Sequence, residues 1–91
     1  MKLILCLECY DVVKLEELEW RDCKCGKTFG RYLADGWHSE VSENAIVLGF
    51  NNSELAHAIR LRNNDLDCLR NFHAWVMGPD AKRIERVTEK Q

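Results

Sequence analysis

Four of the five cysteines in this 91-residue chain fall in two close pairs, Cys6-Leu7-Glu8-Cys9 and Cys23-Lys24-Cys25, with thirteen residues between the pairs. Each pair sets two sulfurs on one tight turn. The spacer is long enough to fold as a hairpin that brings the two turns together around a soft, tetrahedral ion. The pattern C-x2-C-x13-C-x-C-G predicts one structural Zn2+ held by Cys6, Cys9, Cys23 and Cys25, with no coordination position left to activate water. Gly26, directly after Cys25, supplies the positive φ that such loops often need; the matching place after Cys9 holds Tyr10. Two other chemistries use the same residues. Two disulfides would belong to an oxidising compartment. A redox dithiol would sit in a thioredoxin-like βαβ pattern, which surrounds neither pair. The apolar run before Cys6 is far too short for a signal peptide or a membrane span, so the expectation is a cytoplasmic metal-binding protein.

Little else points to catalysis. Cys68 reads as a small buried hydrophobe. His38, His57 and His73 are widely spaced; Glu54-x-x-His57 puts a carboxylate and an imidazole on one helix face, where a solvated pair is the simpler reading, and His73 reads as a partly buried, hydrogen-bonded side chain. The chain has no phosphate loop, H-E-x-x-H or nucleophile elbow. It is therefore expected to have no catalytic residues and not to be an enzyme.

Binding has more support. Lys24, Lys27 and Arg31 follow the second metal loop, Tyr32 and Trp37 flank the next turn, and Asn51, Asn52 and Ser53 surround a helix start, where free N–H groups favour anions. The candidate ligand set is Lys27, Arg31, Tyr32, Trp37, Asn51 and Asn52. Arg60, Arg62 and Arg70 form a second cationic group near the helix end. The competing reading makes these charges a solvated face, the asparagines caps and the tryptophans core. Three tryptophans in so short a chain also favour a partner surface or self-association. The formal net charge is −2; four thiolates and one Zn2+ would make it −4, which disfavours generic binding to nucleic acid.

The elements that must position these groups form one domain, 1–91, with a ribbon hairpin over 1–33 and a sheet plus helix over 34–91. Strands are predicted for 2–7, 11–15, 27–33, 37–42, 45–50, 72–77 and 83–87. The tip Glu16–Trp20 reads as an acidic, solvated turn whose Trp20 is a candidate contact residue. Along 27–33, Phe29, Arg31 and Leu33 share one face, and Thr28 and Tyr32 the other. Glu43-Asn44 reads as a hairpin turn joining its neighbouring strands, and 45–50 as a central strand buried on both faces. Asn51 with Glu54 resembles a capping box for a helix carrying Leu55, Ala58, Ile59 and Arg62, and a short helical piece or loop covers 65–70. The fold class is α+β: an N-terminal zinc ribbon continuing into a small, mainly antiparallel sheet with one principal helix packed on it.

The metal loops, Cys25-Gly26-Lys27, Gly30-Arg31-Tyr32-Leu33-Ala34-Asp35-Gly36 and Leu48-Gly49-Phe50-Asn51-Asn52-Ser53 together resemble a group of small zinc-ribbon proteins of unknown function from bacteria and bacteriophages. The resemblance covers about the first sixty residues. It implies a metal-stabilised cytoplasmic domain of phage or mobile-element origin and brings no catalytic residues. The functional expectation is a non-enzymatic adaptor or inhibitor that docks on a host protein or on itself. The alternatives are capture of a small nucleotide signal and, more weakly, a nucleic-acid-binding ribbon.

Overall fold

The computed structural model describes residues 1–64 and 71–90, with Asn64 described in its backbone alone. The expectations for 65–70, including Cys68 and Arg70, lie outside the described residues. The strands are β1 (Lys2–Leu5), β2 (Val12–Lys14), β3 (Arg21–Asp22), β4 (Phe29–Tyr32), β5 (Ser39–Ser42), β6 (Ile46–Phe50), β7 (Ala74–Val76) and β8 (Ile84–Val87). Helix α1 spans Asn52–Leu61 and runs into a 3-10 turn over Arg62–Asn64.

The strands form two four-stranded sheets, where a single sheet is expected from sequence. The first has the order β2-β1-β6-β7 and is antiparallel throughout. The second has the order β3-β4-β5-β8, antiparallel except for the parallel pair β5/β8. Both sheets mix strands from 1–33 with strands from 34–91. The Glu43-Asn44 turn is therefore not a hairpin. Its N- and C-terminal strands, β5 and β6, belong to different sheets, and the turn carries the chain from one to the other. The Ala45 N–H donates to Ser42 O at 3.1 Å, and Arg86 Nη1 donates to Ala45 O, clamping this crossover from β8.

Period-two alternation explains the core. Ile4, Val13 and Val47 are cross-strand neighbours on one face of the first sheet, and they share one buried cluster with Leu15, Val41 and Ile84. Full burial of a side chain such as Ile4 or Val47 contributes about 1.5–3 kcal/mol. β6 is central, as its apolar run predicts, but only Val47 and Gly49 are buried. Ile46, Leu48 and Phe50, on the opposite face, remain half-exposed. Gly49 is required where it stands: the Trp75 indole lies across it, and a Cβ there would meet Trp75 Nε1 at 2.6 Å.

Helix α1 starts at the expected Asn51 cap, but the capping box is half made, since the Glu54 carboxylate bonds His73 Nδ1. Asn51 Oδ1 accepts from the N–H of Ser53 at 2.8 Å and of Glu54 at 3.2 Å, satisfying two of the first-turn donors. Its buried residue is Ala58, so the helix adds little to the core, which the two sheets supply.

Candidate metal centre and ligand cleft

Each cysteine pair occupies the loop of a hairpin: Cys6 and Cys9 between β1 and β2, Cys23 and Cys25 between β3 and β4. The two loops repeat one hydrogen-bond scheme. Cys6 N–H donates to Asp11 O at 3.1 Å and Tyr10 N–H to Cys6 O at 2.8 Å. Cys23 N–H donates to Thr28 O at 2.9 Å and Gly26 N–H to Cys23 O at 3.0 Å. The outer bond spans five residues in both loops, and the inner bond of the second loop spans one residue fewer, as its C-x-C spacing requires. Tyr10 and Gly26 both lie in the left-handed region, at φ 58° and 78°. Tyrosine thus takes the conformation that glycine takes in the partner loop, so its presence costs strain without changing the loop's path.

All four sulfurs lie within 4.8 Å of one another. Cys6 Sγ and Cys23 Sγ are 3.6 and 3.5 Å from Cys25 Sγ. A tetrahedron with metal–sulfur bonds of about 2.3 Å has edges of about 3.8 Å, whereas a disulfide would need about 2.05 Å. The four cysteines are free thiols, and their arrangement fits a metal ion. Local donors already favour the anionic state. The Glu8 N–H reaches Cys6 Sγ at 3.4 Å and the Thr28 N–H reaches Cys23 Sγ at 3.3 Å. Thr28 Oγ1 is buried without a partner of full hydrogen-bond geometry. Its pull on Cys6 is nevertheless the main influence lowering that thiol to about 6, helped by the Cys9 N–H. At Cys23, burial opposes ionisation, but the Thr28 N–H and the Cys25 thiol outweigh it and the pKa falls. At Cys25, the Lys27 N–H favours the thiolate, yet desolvation and the neighbouring sulfurs prevail and push the thiol up to about 12. The surroundings thus favour the thiolate at buried Cys6 and Cys23 and the thiol at exposed Cys25.

Two contacts tie the loops together outside the sulfurs. Lys24 N–H donates to Asp11 Oδ2 at 2.9 Å, and Lys27 Nζ lies 3.7 Å from Glu8 Oε2.

The candidate ligand residues are spread over the molecule. Lys27 stands at the cysteine end, 3.7 Å from Glu8. Arg31 lies on the outer face of the second sheet, where Nε and Nη2 bond Glu40 Oε1 at 2.9 and 2.8 Å and the guanidinium stacks 4.3 Å from the Trp20 ring. Trp20 also packs edge-on against Phe29, which makes it part of this cluster. The Glu16–Glu19 tip is likewise held, since Leu18 N–H donates to Tyr32 O and Tyr32 N–H to Glu16 O. Asn51 serves as the helix cap, and Asn52 Oδ1 accepts from the Met1 amino group at 2.9 Å. His73 is exposed, and Nδ1 meets Glu54 Oε1 at 2.6 Å; it is this histidine, not His57, that bonds Glu54.

Tyr32 and Trp37 do come together. They line a cleft of about 420 Å3 with Lys2, Met77, Lys82 and Arg83. Tyr32 Oη accepts from the Lys2 backbone N–H at 2.8 Å, Lys2 Nζ donates to Trp37 O at 2.6 Å, and Arg83 stacks 4.1 Å from the Trp37 ring. Burial, with Arg83 close by, lowers the Lys2 pKa, and burial raises that of Tyr32. The adjacent basic pair Lys82-Arg83, just past the Gly78-Pro79-Asp80 turn, is a sequence signal that could have found this wall; Lys2 carries none. Comparison with protein-family models, with curated proteins and with solved structures finds no match for this chain.

Proposed function

We propose that the protein is a cytoplasmic, non-enzymatic binding module of bacterial or phage origin, built as a zinc ribbon in which one Zn2+ closes the two cysteine hairpins. The observation that carries this reading is the set of four free sulfurs within 4.8 Å, contributed by one hairpin from each sheet. Zinc is the ion favoured by four thiolates in a tetrahedron, and such a closed site supplies folding free energy on the order of 10 kcal/mol. The contact surface is the outward face of the first sheet. Leu3, Leu5, Ile46, Leu48 and Phe50 are half-buried there, and Val12 and Val76 are 49% and 68% exposed. β7 also leaves one edge unpaired among the described strands. The charge on the paired strand positions of this face is Lys14, so the face complements a second copy of itself about a twofold axis.

Native mass spectrometry of reduced protein tests both parts. The expected result is one zinc per chain and a dimer that Val76→Glu converts to monomer with its metal retained. Metal-free protein with a native, chelator-resistant circular-dichroism spectrum would refute the zinc centre. A zinc-loaded chain that stays monomeric at high concentration would refute self-association alone.

A further inference from the structure

We infer that the cleft between the Lys2 end of β1 and the Tyr32 end of β4 binds a small organic anion of mononucleotide size, its phosphate set against Lys82 and Arg83 and its flat ring against Trp37. This inference is independent of self-association. The cleft's volume of about 420 Å3 falls within the range of small-molecule sites. Its walls combine three cations with exposed aromatic surface: Trp37 is 59% exposed, and Arg83 on its face extends a flat stacking platform. Among the described residues, Lys2, Lys82 and Arg83 have no carboxylate within 4 Å. Asp35, the acidic neighbour, is already engaged: Oδ1 accepts from the Trp37 and His38 N–H groups, each at 2.9 Å, and Oδ2 meets His38 Nδ1. Unpaired cations crowded together favour an anion. Met77 at the cleft wall suits the apolar face of a ring rather than a bare inorganic ion. An extended nucleic acid would need a cationic track leading out of the cleft, and along β4 the next outward cation, Arg31, is spent on Glu40.

The test is isothermal titration of zinc-loaded, full-length protein with AMP, ADP, inorganic phosphate and a short single-stranded oligonucleotide, with tryptophan fluorescence read in parallel. The expected result is saturable binding of AMP or ADP with quenching that Trp37→Phe abolishes. Arg83→Gln should weaken binding about tenfold or more. Lys82→Gln, at an exposed side chain whose loss leaves folding intact, should weaken it in the same sense, while Lys24→Gln at the metal end leaves it unchanged. No binding of either nucleotide overturns the proposal, as does equal affinity for inorganic phosphate, tighter binding of the oligonucleotide, or undiminished affinity in Lys82→Gln.

Discussion

The two cysteine loops place a tyrosine and a glycine in the same left-handed conformation, and exchanging their chemistry should move stability in opposite directions. An L-residue in that region costs about 1–2 kcal/mol; a glycine avoids the cost but loses about 0.5–1 kcal/mol through the greater freedom of the unfolded chain. Tyr10 has φ 58° and is 70% exposed, so its ring contributes little packing. Tyr10→Gly should therefore stabilise by about 0.5–1 kcal/mol, with the Tyr10 N–H bond to Cys6 O kept by glycine. Gly26 has φ 78° and open space around a notional Cβ, so Gly26→Ala introduces no clash and carries the backbone cost less the entropy gained by restricting the unfolded chain. It should destabilise by about 0.5–1 kcal/mol. For a domain of this size each change corresponds to a melting shift of about 2–8 °C. The assay is thermal unfolding of reduced protein followed by circular dichroism at one fixed free-zinc concentration, because metal bound to the native state raises the melting point by mass action. A lower melting temperature for Tyr10→Gly would refute the claim that strain at that position is relieved. A rise for Gly26→Ala would refute the equivalence of the two loops.

Gly49→Ala should push the Trp75 ring off β6 and cost about 1–3 kcal/mol, seen as a lower denaturation midpoint and a red-shifted tryptophan emission; unchanged emission would show that the ring does not rest on Gly49. His73 is raised above its ordinary pKa by its hydrogen bond to Glu54 and by that carboxylate's charge. A raised histidine contributes stability that is complete below its unfolded pKa of about 6.5 and fades as pH rises through the folded value. An NMR titration should place the His73 midpoint above 6.5 and Glu54→Gln should return it there; a midpoint that ignores Glu54→Gln would sink the assignment.

The cysteine spacing, the Asn51 cap and the alternation of Phe29, Thr28, Arg31 and Tyr32 are local signals, and each appears in the structure where its local physics puts it. What sequence could not show is pairing at long range. Glu43-Asn44 has the composition of a hairpin turn, yet β5 finds β4 and β8 while β6 finds β1 and β7. Nothing within a turn's own residues decides whether its flanking strands pair with each other or with strands far along the chain. The same limit applies to the ligand set. Lys27 and Arg31 stand near Tyr32 in sequence but are paired to Glu8 and Glu40, whereas Lys2 and Arg83 reach Tyr32 and Trp37 only through the fold. The expectation of a partly buried His73 failed for a related reason: it sits just before β7, an edge strand exposed at all its positions, so alternation there carries no inside face.

The cleft and the cysteines lie at opposite ends of the same two strands. β1 starts at Lys2 in the cleft and ends one residue before Cys6; β4 starts four residues after Cys25 and ends at Tyr32 in the cleft. Four residues of strand span about 13 Å, so neither site touches the other. β1 and β4 nevertheless belong to different sheets, and the cleft has a wall on each. At the cleft end the described direct ties between the two strands are the Lys2 N–H to Tyr32 Oη hydrogen bond and the Lys2 ammonium 5.8 Å from the centre of the Tyr32 ring. At the other end the four sulfurs converge. Loss of a metal there would leave the sheets joined by their shared core and the Arg86 clamp but loosen their cysteine end, and so weaken the cleft without removing any residue that lines it. By linkage, an anion seated between the sheets would in turn raise the affinity for the metal. Equilibrium competition for zinc against a chelator, with and without AMP, reads that coupling directly, and a zinc affinity that AMP leaves unchanged would mean that the two ends act independently.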